Sequence, residues 1–313
     1  MANKKTLPIV VVNVSSPLVQ PIVSEIRLPF ILRGADLGPC SERWTVDYLS
    51  SHLDKEEVKI HVSECPQLDF LKKNFSYKTL KFCELLQRAS SESHKEGSFF
   101  VSPTEFYYLR SVGKDARKDV ADIRQQFPAI SEDIIFPDFV PKENIFSSVF
   151  RIASKDVSIW THYDVMDNAL IQVKGRKKAV LFPPTEVPNL YLNGDKSEVI
   201  DIDNPDYSKF PKFKEAGRLE GLLLPGDVLY IPAFWFHNMK YLDFGIAVNV
   251  FWKELDPDLY DKKDPYGNKD LLPAQQAFAS VDKAIHNLSK LPPSYKKFYC
   301  LRLIAHIGKK MES

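Results

Sequence analysis

The chain has 313 residues, 44% of them hydrophobic and 27% charged, with a formal net charge of +1 at pH 7. This composition is ordinary for a globular protein, with room for one large domain and an appendage. The apolar run near the start covers only residues 9–12. Since that run is too short for a signal-peptide core or a membrane span, we expect no membrane partner.

The cysteines are widely spaced and include no C-x-x-C pair: Cys40, Cys65, Cys83 and Cys300. That spacing argues against a zinc knuckle and predicts small buried thiols in a reducing compartment. We therefore expect an intracellular, cytoplasmic protein.

Residues 1–100 predict α/β elements that flank the core of the fold. Apolar residues at helical spacing favour helices over 43–54 and 79–90. Between them, the stretch EVKIHV alternates apolar and polar residues, as a half-buried strand does. Residues 115–145 are charged and predict a helix followed by a proline-punctuated loop.

The core is predicted to span residues 101–255 and to be mainly β. From about residue 146, short apolar segments follow one another between turn residues: KAVLF before two prolines, LLL before PGD, VLYI before a proline, and then IAVNVFW. Many short strands at short spacing are typical of a sandwich or a jelly roll.

Residues 256–313 predict a helical hairpin. One apolar stripe runs through 277–291, and a second follows the break at Pro292 and Pro293. Neither helix can cover its own apolar face, which favours packing on the core or on a second copy in a homodimer. Residues 271–313 carry seven lysine and arginine residues against two acidic ones. This balance suits a polyanionic partner, although a solvated helix face explains it as simply.

The stretch WTHYDVMDN contains His162 and Asp164 between two apolar segments. On a strand, residues i and i+2 face the same side, so both side chains can reach one ion. Two other His-x-acid pairs have no such context. His52 lies in a predicted helix, where residues two apart diverge, and His94 lies in a polar loop.

His237 is the best candidate for a third ligand, because it follows the strand-like run PGDVLYIPAFWF. Two histidines and one carboxylate that leave coordination positions open form the facial triad of non-haem Fe(II) oxygenases. The same ligands suit a catalytic zinc ion, and a histidine beside two aromatic residues is often an ordinary core residue. From these residues alone, all three interpretations stay open.

Several segments resemble a known family. HYD, GRKKAVLFPP, PGDVLYIPAFWFHN and VNVFWK are similar to the JmjC-type, cupin-fold 2-oxoglutarate oxygenases, a group that includes the asparaginyl hydroxylase of the hypoxia response. The chain resembles more closely the JmjC hydroxylases of tRNA wybutosine synthesis, through WTVDYL, FYYLRS, RKDVADIR, WTHYDVMDN and YDKKDPYGNKD. The implied fold is mainly β with α: a double-stranded β-helix, or jelly roll, with flanking helices and a C-terminal helical hairpin.

The resemblance also implies roles for individual residues. The residues implied to hold Fe(II) are His162, Asp164 and His237. Those implied to bind the cosubstrate 2-oxoglutarate are Tyr108, Asn168 and Lys177, with Asn249 as a further polar group nearby and O2 as the second cosubstrate. One departure weakens the transfer of contacts from the asparaginyl hydroxylase: Ile159 stands where that enzyme has a threonine.

The substrate implied by the resemblance is a wybutosine-type guanosine at position 37 of phenylalanine tRNA, hydroxylated on its aminocarboxypropyl side chain. Contacts to phosphates dominate nucleic-acid affinity. A basic cluster therefore fits a partner such as the anticodon loop: Arg110, Lys114, Arg117, Lys118 and, beside the metal strand, Arg151.

Three other functions share parts of this pattern. A protein hydroxylase acting on asparagine or lysine would use every iron and cosubstrate residue. A histone lysine demethylase would usually carry chromatin-reading domains, for which we expect no room here. A non-catalytic cupin-like scaffold would not need an intact triad, so the residues favour it least.

Overall fold

The computed structural model describes residues 6–91, 97–100 and 104–311. His94 and the polar loop around it lie outside these residues. The chain divides into two compact units, Met1–Leu255 with Lys263–Asn268 and Asp256–Lys262 with Lys269–Ser313. None of the helices described combines the length and the apolar character that crossing a lipid bilayer would require.

The strands all belong to the first unit. In chain order they are β1 (Thr6–Pro8), β2 (Val10–Asn13), β3 (Phe30–Arg33), β4 (Glu57–Ser63), β5 (Phe75–Lys81), β6 (Phe106–Arg110), β7 (Ile145–Ala153), β8 (Ser158–His162), β9 (Asp167–Lys174), β10 (Lys177–Phe182), β11 (Leu192–Asn193), β12 (Lys196–Ser197), β13 (Arg218–Leu223), β14 (Val228–Ile231), β15 (Phe236–Tyr241) and β16 (Gly245–Trp252).

The helices are short in the first unit and long in the second. The α-helices are α1 (Val19–Pro21), α2 (Cys40–Arg43), α3 (Val46–His52), α4 (Phe82–Ala89), α5 (Ile123–Gln126), α6 (Leu272–Leu288) and α7 (Pro293–Met311). A π-helical turn covers Ile22–Ile26, and single 3₁₀ turns cover Pro128–Asp133, Lys142–Asn144, Pro184–Asn189, Pro211–Glu215 and Pro257–Leu259.

Two sheets form the body of the first unit. One has the strand order β1-β13-β10-β15-β8-β12-β11, and the other β2-β3-β14-β9-β16-β7-β6-β4-β5. Consecutive strands such as β8 and β9, or β14 and β15, lie in different sheets. Because the chain alternates between the sheets, the architecture is a jelly roll with added strands, and the predicted fold class is confirmed.

An apolar core fills the space between the two sheets. The larger sheet contributes Leu170 and Ala247, and the smaller one contributes Leu181, Met239 and Tyr241. These positions alternate with outward-facing residues along each strand, as the pleat requires. The same inward faces carry the polar residues of the candidate site.

The outer face of the larger sheet packs on helices from the N-terminal part of the chain. Phe150 in β7 lies 5.2 Å from Trp44 and 5.9 Å from Phe82, measured between ring centroids. Buried Asp133 accepts hydrogen bonds from Trp44 and Tyr48, which joins this helical layer to the 3₁₀ turn that ends at Asp133. The layer holds the larger sheet on its outer side, away from the site.

One local prediction was wrong in extent. The helix expected over 79–90 begins at Phe82, because Phe75–Lys81 forms β5 and pairs with β4 along its whole length. There, tertiary contacts override the local pattern. The helix expected within 115–145 is present but short, Ile123–Gln126 with a 3₁₀ turn after it, and the expected loop follows.

The second unit contains the helical hairpin expected at the C-terminus. Helix α6 ends at Leu288 and α7 begins at Pro293, so the predicted break at the proline pair separates them. None of the residues described in these two helices is fully buried, although many of them are large and apolar.

Candidate functional site

His162 and His237 face each other across neighbouring strands. β8 and β15 are antiparallel, with His162 directly opposite His237, and the two ring centroids lie 4.3 Å apart. Asp164 follows β8 by two residues, just beyond the strand that was expected to contain it. Its Oδ2 lies 3.5 Å from His237 Nε2, and one ligand atom from each of the three residues lies within 4.8 Å of the others.

Backbone contacts fix the orientation of both imidazole rings. His162 Nδ1 lies 2.9 Å from the carbonyl oxygen of Trp160, and His237 Nδ1 lies 3.1 Å from that of Trp235. Because a carbonyl oxygen only accepts hydrogen bonds, each Nδ1 must carry the proton. The lone pair of each Nε2 is therefore available to a metal ion, an arrangement common at metal sites.

The electrostatic environment keeps both histidines neutral. Burial lowers the pKa of His162 well below its ordinary value, and the neighbouring His237 lowers it further. Burial likewise lowers the pKa of His237, although the carboxylate of Asp164 partly offsets this effect. Neutral imidazole is the form that binds metals, so the donor set fits a divalent ion of the Fe(II) or Zn(II) type.

Lys177 and Lys178 point to opposite sides of β10. Lys178 forms outer-face ion pairs with Asp203 (3.3 Å) and Glu220 (3.6 Å). Lys177 is only 1% exposed, and its Nζ lies 4.2 Å from the ring centre of Tyr241. Burial, followed by the charge of Arg151, lowers the pKa of Lys177 well below its ordinary value. Among the described residues no carboxylate pairs with this ammonium, so it is suited to an anionic ligand.

A hydrogen-bonded chain crosses the inner face of the larger sheet. Arg151 donates to the hydroxyl of Tyr108 and to Asn249 Oδ1, the latter at 2.6 Å. Asn249 Nδ2 in turn donates to Asn168 Oδ1 at 3.0 Å. Asn168 Nδ2 is buried and has no acceptor in the described structure. A buried N–H donor at the end of this series of hydrogen bonds is well suited to bind a ligand oxygen.

The structure separates the cluster of basic residues that the sequence grouped together. Lys114, Arg117 and Lys118 are exposed. Arg151 instead points inward, and the half-buried Arg110 pairs with it across β6 and β7. The sequence did carry a sign of the inward position of Arg151, since the residues two before and two after it, Val149 and Ala153, are apolar and share its face of a strand. Both are buried in the structure.

Sequence comparisons give the family. A family model described as a cupin-like domain matches residues 20–258. tRNA wybutosine-synthesizing protein 5 of Homo sapiens is 56% identical over 287 residues, which cover 92% of this chain and 90% of that protein. The chain belongs to this family. tRNA wybutosine-synthesizing protein 5 of Danio rerio is 52% identical over 281 residues, which cover 90% of this chain and 86% of that protein.

A more distant relative contains the same region inside a longer chain. tRNA wybutosine-synthesizing protein 4 of Gibberella zeae is 33% identical over 289 residues, which cover 88% of this chain but 26% of that protein. The cupin-like match in the present family member includes β3 to β16 and therefore every residue of the candidate site.

We expect His162→Ala to weaken divalent-metal binding by roughly 100-fold or more, because loss of an outer contact alone typically costs 10- to 100-fold. Titration with Co(II), followed by its visible absorption, measures this effect. His52→Ala is the matched control, because His52 is exposed in α3 and lies outside the group of three. Equal Co(II) affinity in the two variants would contradict the assignment of His162 as a ligand.

Proposed function

We propose that this protein is an Fe(II)- and 2-oxoglutarate-dependent hydroxylase of phenylalanine tRNA. Its substrate would be the wybutosine-type guanosine at position 37, hydroxylated on the aminocarboxypropyl side chain. The observation that carries the proposal is a group of two imidazoles and a carboxylate, His162, His237 and Asp164. On the strand next to that of His237 lies a buried lysine, Lys177, which has no anionic partner among the described residues. A structural zinc ion is bound by protein ligands alone, so such a site would not require a buried lysine for an anionic cosubstrate.

His162, Asp164 and His237 would hold the iron and leave coordination positions open for ligands. With 2-oxoglutarate and O2, the bound iron supplies the oxidation: the cosubstrate yields succinate and CO2, and one oxygen atom enters a C–H bond of the substrate. The protein would bind the cosubstrate and the substrate, orient them, and exclude water from the site.

Lys177 and Tyr108 would bind the distal carboxylate of 2-oxoglutarate. Both are buried. Tyr108 belongs to the apolar core between the sheets, and Lys177 lies on the ring of Tyr241 in that core. An ion pair formed there is weakly screened and restores the charge balance that burial of Lys177 disturbs. Asn168 would add a hydrogen bond through its free amide nitrogen, with Asn249 and Arg151 fixing the orientation of that amide.

The tRNA substrate is proposed from the relatives and from surface charge. The proteins that match over about nine-tenths of their length are named for tRNA wybutosine synthesis. Exposed Lys114, Arg117 and Lys118 and the basic C-terminal segment would contact phosphates. An asparaginyl or lysyl hydroxylase of proteins remains the second candidate, because it would use the same metal and cosubstrate residues.

A homodimer through the C-terminal hairpin is also part of the proposal. Helices α6 and α7 expose large apolar side chains, among them Phe278 (62%), Phe298 (56%), Leu301 (57%) and Ile304 (67%). An apolar surface of this kind is typical of a protein interface, and two identical hairpins can cover each other around a twofold axis.

Nucleoside mass spectrometry tests the reaction. Phenylalanine tRNA that carries the unhydroxylated wybutosine precursor is incubated with the protein, Fe(II), ascorbate and 2-oxoglutarate. We expect the modified nucleoside to gain one oxygen atom, and His162→Ala to abolish the gain. If the tRNA is unchanged while a peptide pool stimulates succinate release, the protein hydroxylase is the better assignment.

The two adjacent lysines provide a matched pair for cosubstrate binding. We expect Lys177→Met to raise the KM for 2-oxoglutarate by roughly 10- to 100-fold, because it removes a buried charge-assisted hydrogen bond. Lys178→Met removes the same charge one residue away but on the outer face, and should leave that KM within about twofold. Succinate release at varied 2-oxoglutarate measures both. Equal effects would contradict the assigned role of Lys177.

Light scattering after gel filtration tests the homodimer. We expect the wild-type protein to have twice the mass of the chain and the double variant Leu301→Lys with Ile304→Lys to have the mass of one chain, because buried charges would oppose association. Lys297→Gln, an exposed change on the same helix, should not alter the mass. A dimer that persists in the double variant would place the interface elsewhere.

A further inference from the structure

Two arginines face each other in the site, and neither forms a salt bridge within the described parts of the chain. Arg110 in β6 lies directly opposite Arg151 in β7. Like charges directly opposite on antiparallel strands destabilise the pair. Arg151 donates hydrogen bonds to two neutral acceptors, Tyr108 and Asn249. Arg110 has no hydrogen-bond acceptor in the described parts of the chain; its guanidinium lies 5.0 Å from the ring centre of Tyr266.

The charge of the site remains positive after the metal and the cosubstrate are counted. Two arginines, Arg110 and Arg151, together with the basic side chain of Lys177, stand against the carboxylate of Asp164, which interacts electrostatically with both arginines. A divalent metal ion and the two carboxylates of 2-oxoglutarate cancel each other. Because Lys177 would take one of those carboxylates and the metal the other, Arg110 is left for another anion.

The ring that supports Arg110 lies on a well-packed turn. Tyr266 lies on a turn of the first unit, with its backbone nitrogen donating to Asp264 Oδ1 at 3.0 Å. The next residue, Gly267, has a φ of +69°, and a Cβ there would approach Phe146 Cε1 to 2.9 Å. This close packing holds the turn against the side chain of Phe146. Tyr266 is 40% exposed and Arg110 is half-buried, so this pair lies near the surface of the first unit.

We propose that Arg110, supported by Tyr266, binds a carboxylate of the substrate and selects side chains that end in a free acid. This inference rests on the proposed function, because the aminocarboxypropyl side chain of the proposed substrate carries such a group. A guanidinium matches a carboxylate with two parallel hydrogen bonds. Arg110 lies on the same face of β6 as the core residue Tyr108, the side of the larger sheet on which the reacting side chain must enter. A tRNA phosphate is the other anion that the same guanidinium could bind.

Two substrates distinguish these sources. Phenylalanine tRNA is prepared with the precursor side chain either as the free acid or as its methyl ester, and kcat/KM for oxygen incorporation is measured for each. We expect the wild-type protein to prefer the acid by roughly 10- to 100-fold, because the ester carries no charge and keeps only weaker hydrogen bonds to the guanidinium. In Arg110→Met the preference should fall to about one, and Arg110→Lys should retain part of it.

Arg124→Met is the matched control, since Arg124 also lies on an aromatic ring, that of Phe136, at 4.5 Å, but on the surface. It should keep the full preference for the acid. Three results overturn the proposal: no acid preference in the wild type, an equal loss on both substrates in Arg110→Met, which indicates a phosphate contact, or a raised KM for 2-oxoglutarate in that variant. If the wild type hydroxylates neither tRNA, the proposed function itself fails.

Discussion

The direct cross-strand pairing of His162 with His237 sets the geometry on which the rest of the site depends. Residues opposite each other in an antiparallel pair have their Cβ atoms about 5 Å apart, close enough for both rings to meet at one point. Each ring is then held by the backbone carbonyl two residues before it, Trp160 or Trp235, which aims Nε2 inward. Asp164 completes the group from the loop that leaves β8. The jelly roll therefore provides a metal-binding geometry from backbone pairing and needs few specialised side chains.

The second organising feature is positive charge placed between two sheets. Lys177, Arg151 and Arg110 lie on inward faces beside the apolar core, where an unpaired cation is unfavourable. Neutral partners partly stabilise these cations. The ring of Tyr241 contacts Lys177, the ring of Tyr266 contacts Arg110, and the oxygens of Tyr108 and Asn249 accept hydrogen bonds from Arg151. Anionic ligands would pair with the cations and stabilise them further. The stability of this region would then depend on the binding of cosubstrate and substrate.

Local sequence patterns predicted the core strands and the C-terminal hairpin well, because both have strong periodicity. They failed where pairing decides the state of a segment. The stretch FSYKTLK ends in residues that also fit the helix following it, and only the presence of β4 beside it makes it a strand. Asp164 shows the same limit on a smaller scale, since i and i+2 spacing suggested a shared strand although β8 ends at His162.

The sequence by itself supplied the candidate ligands, two histidines and a carboxylate. It also determined the opposite orientations of Lys177 and Lys178, because strand alternation depends only on neighbouring residues. It also carried the family resemblance. Only the tertiary structure decided that Arg110 belongs with Arg151 rather than with the exposed Lys114, Arg117 and Lys118. Forty residues separate the two arginines along the chain, and their contact arises from the register of β6 against β7. That register reflects the burial of whole strand faces, a property that no single motif contains.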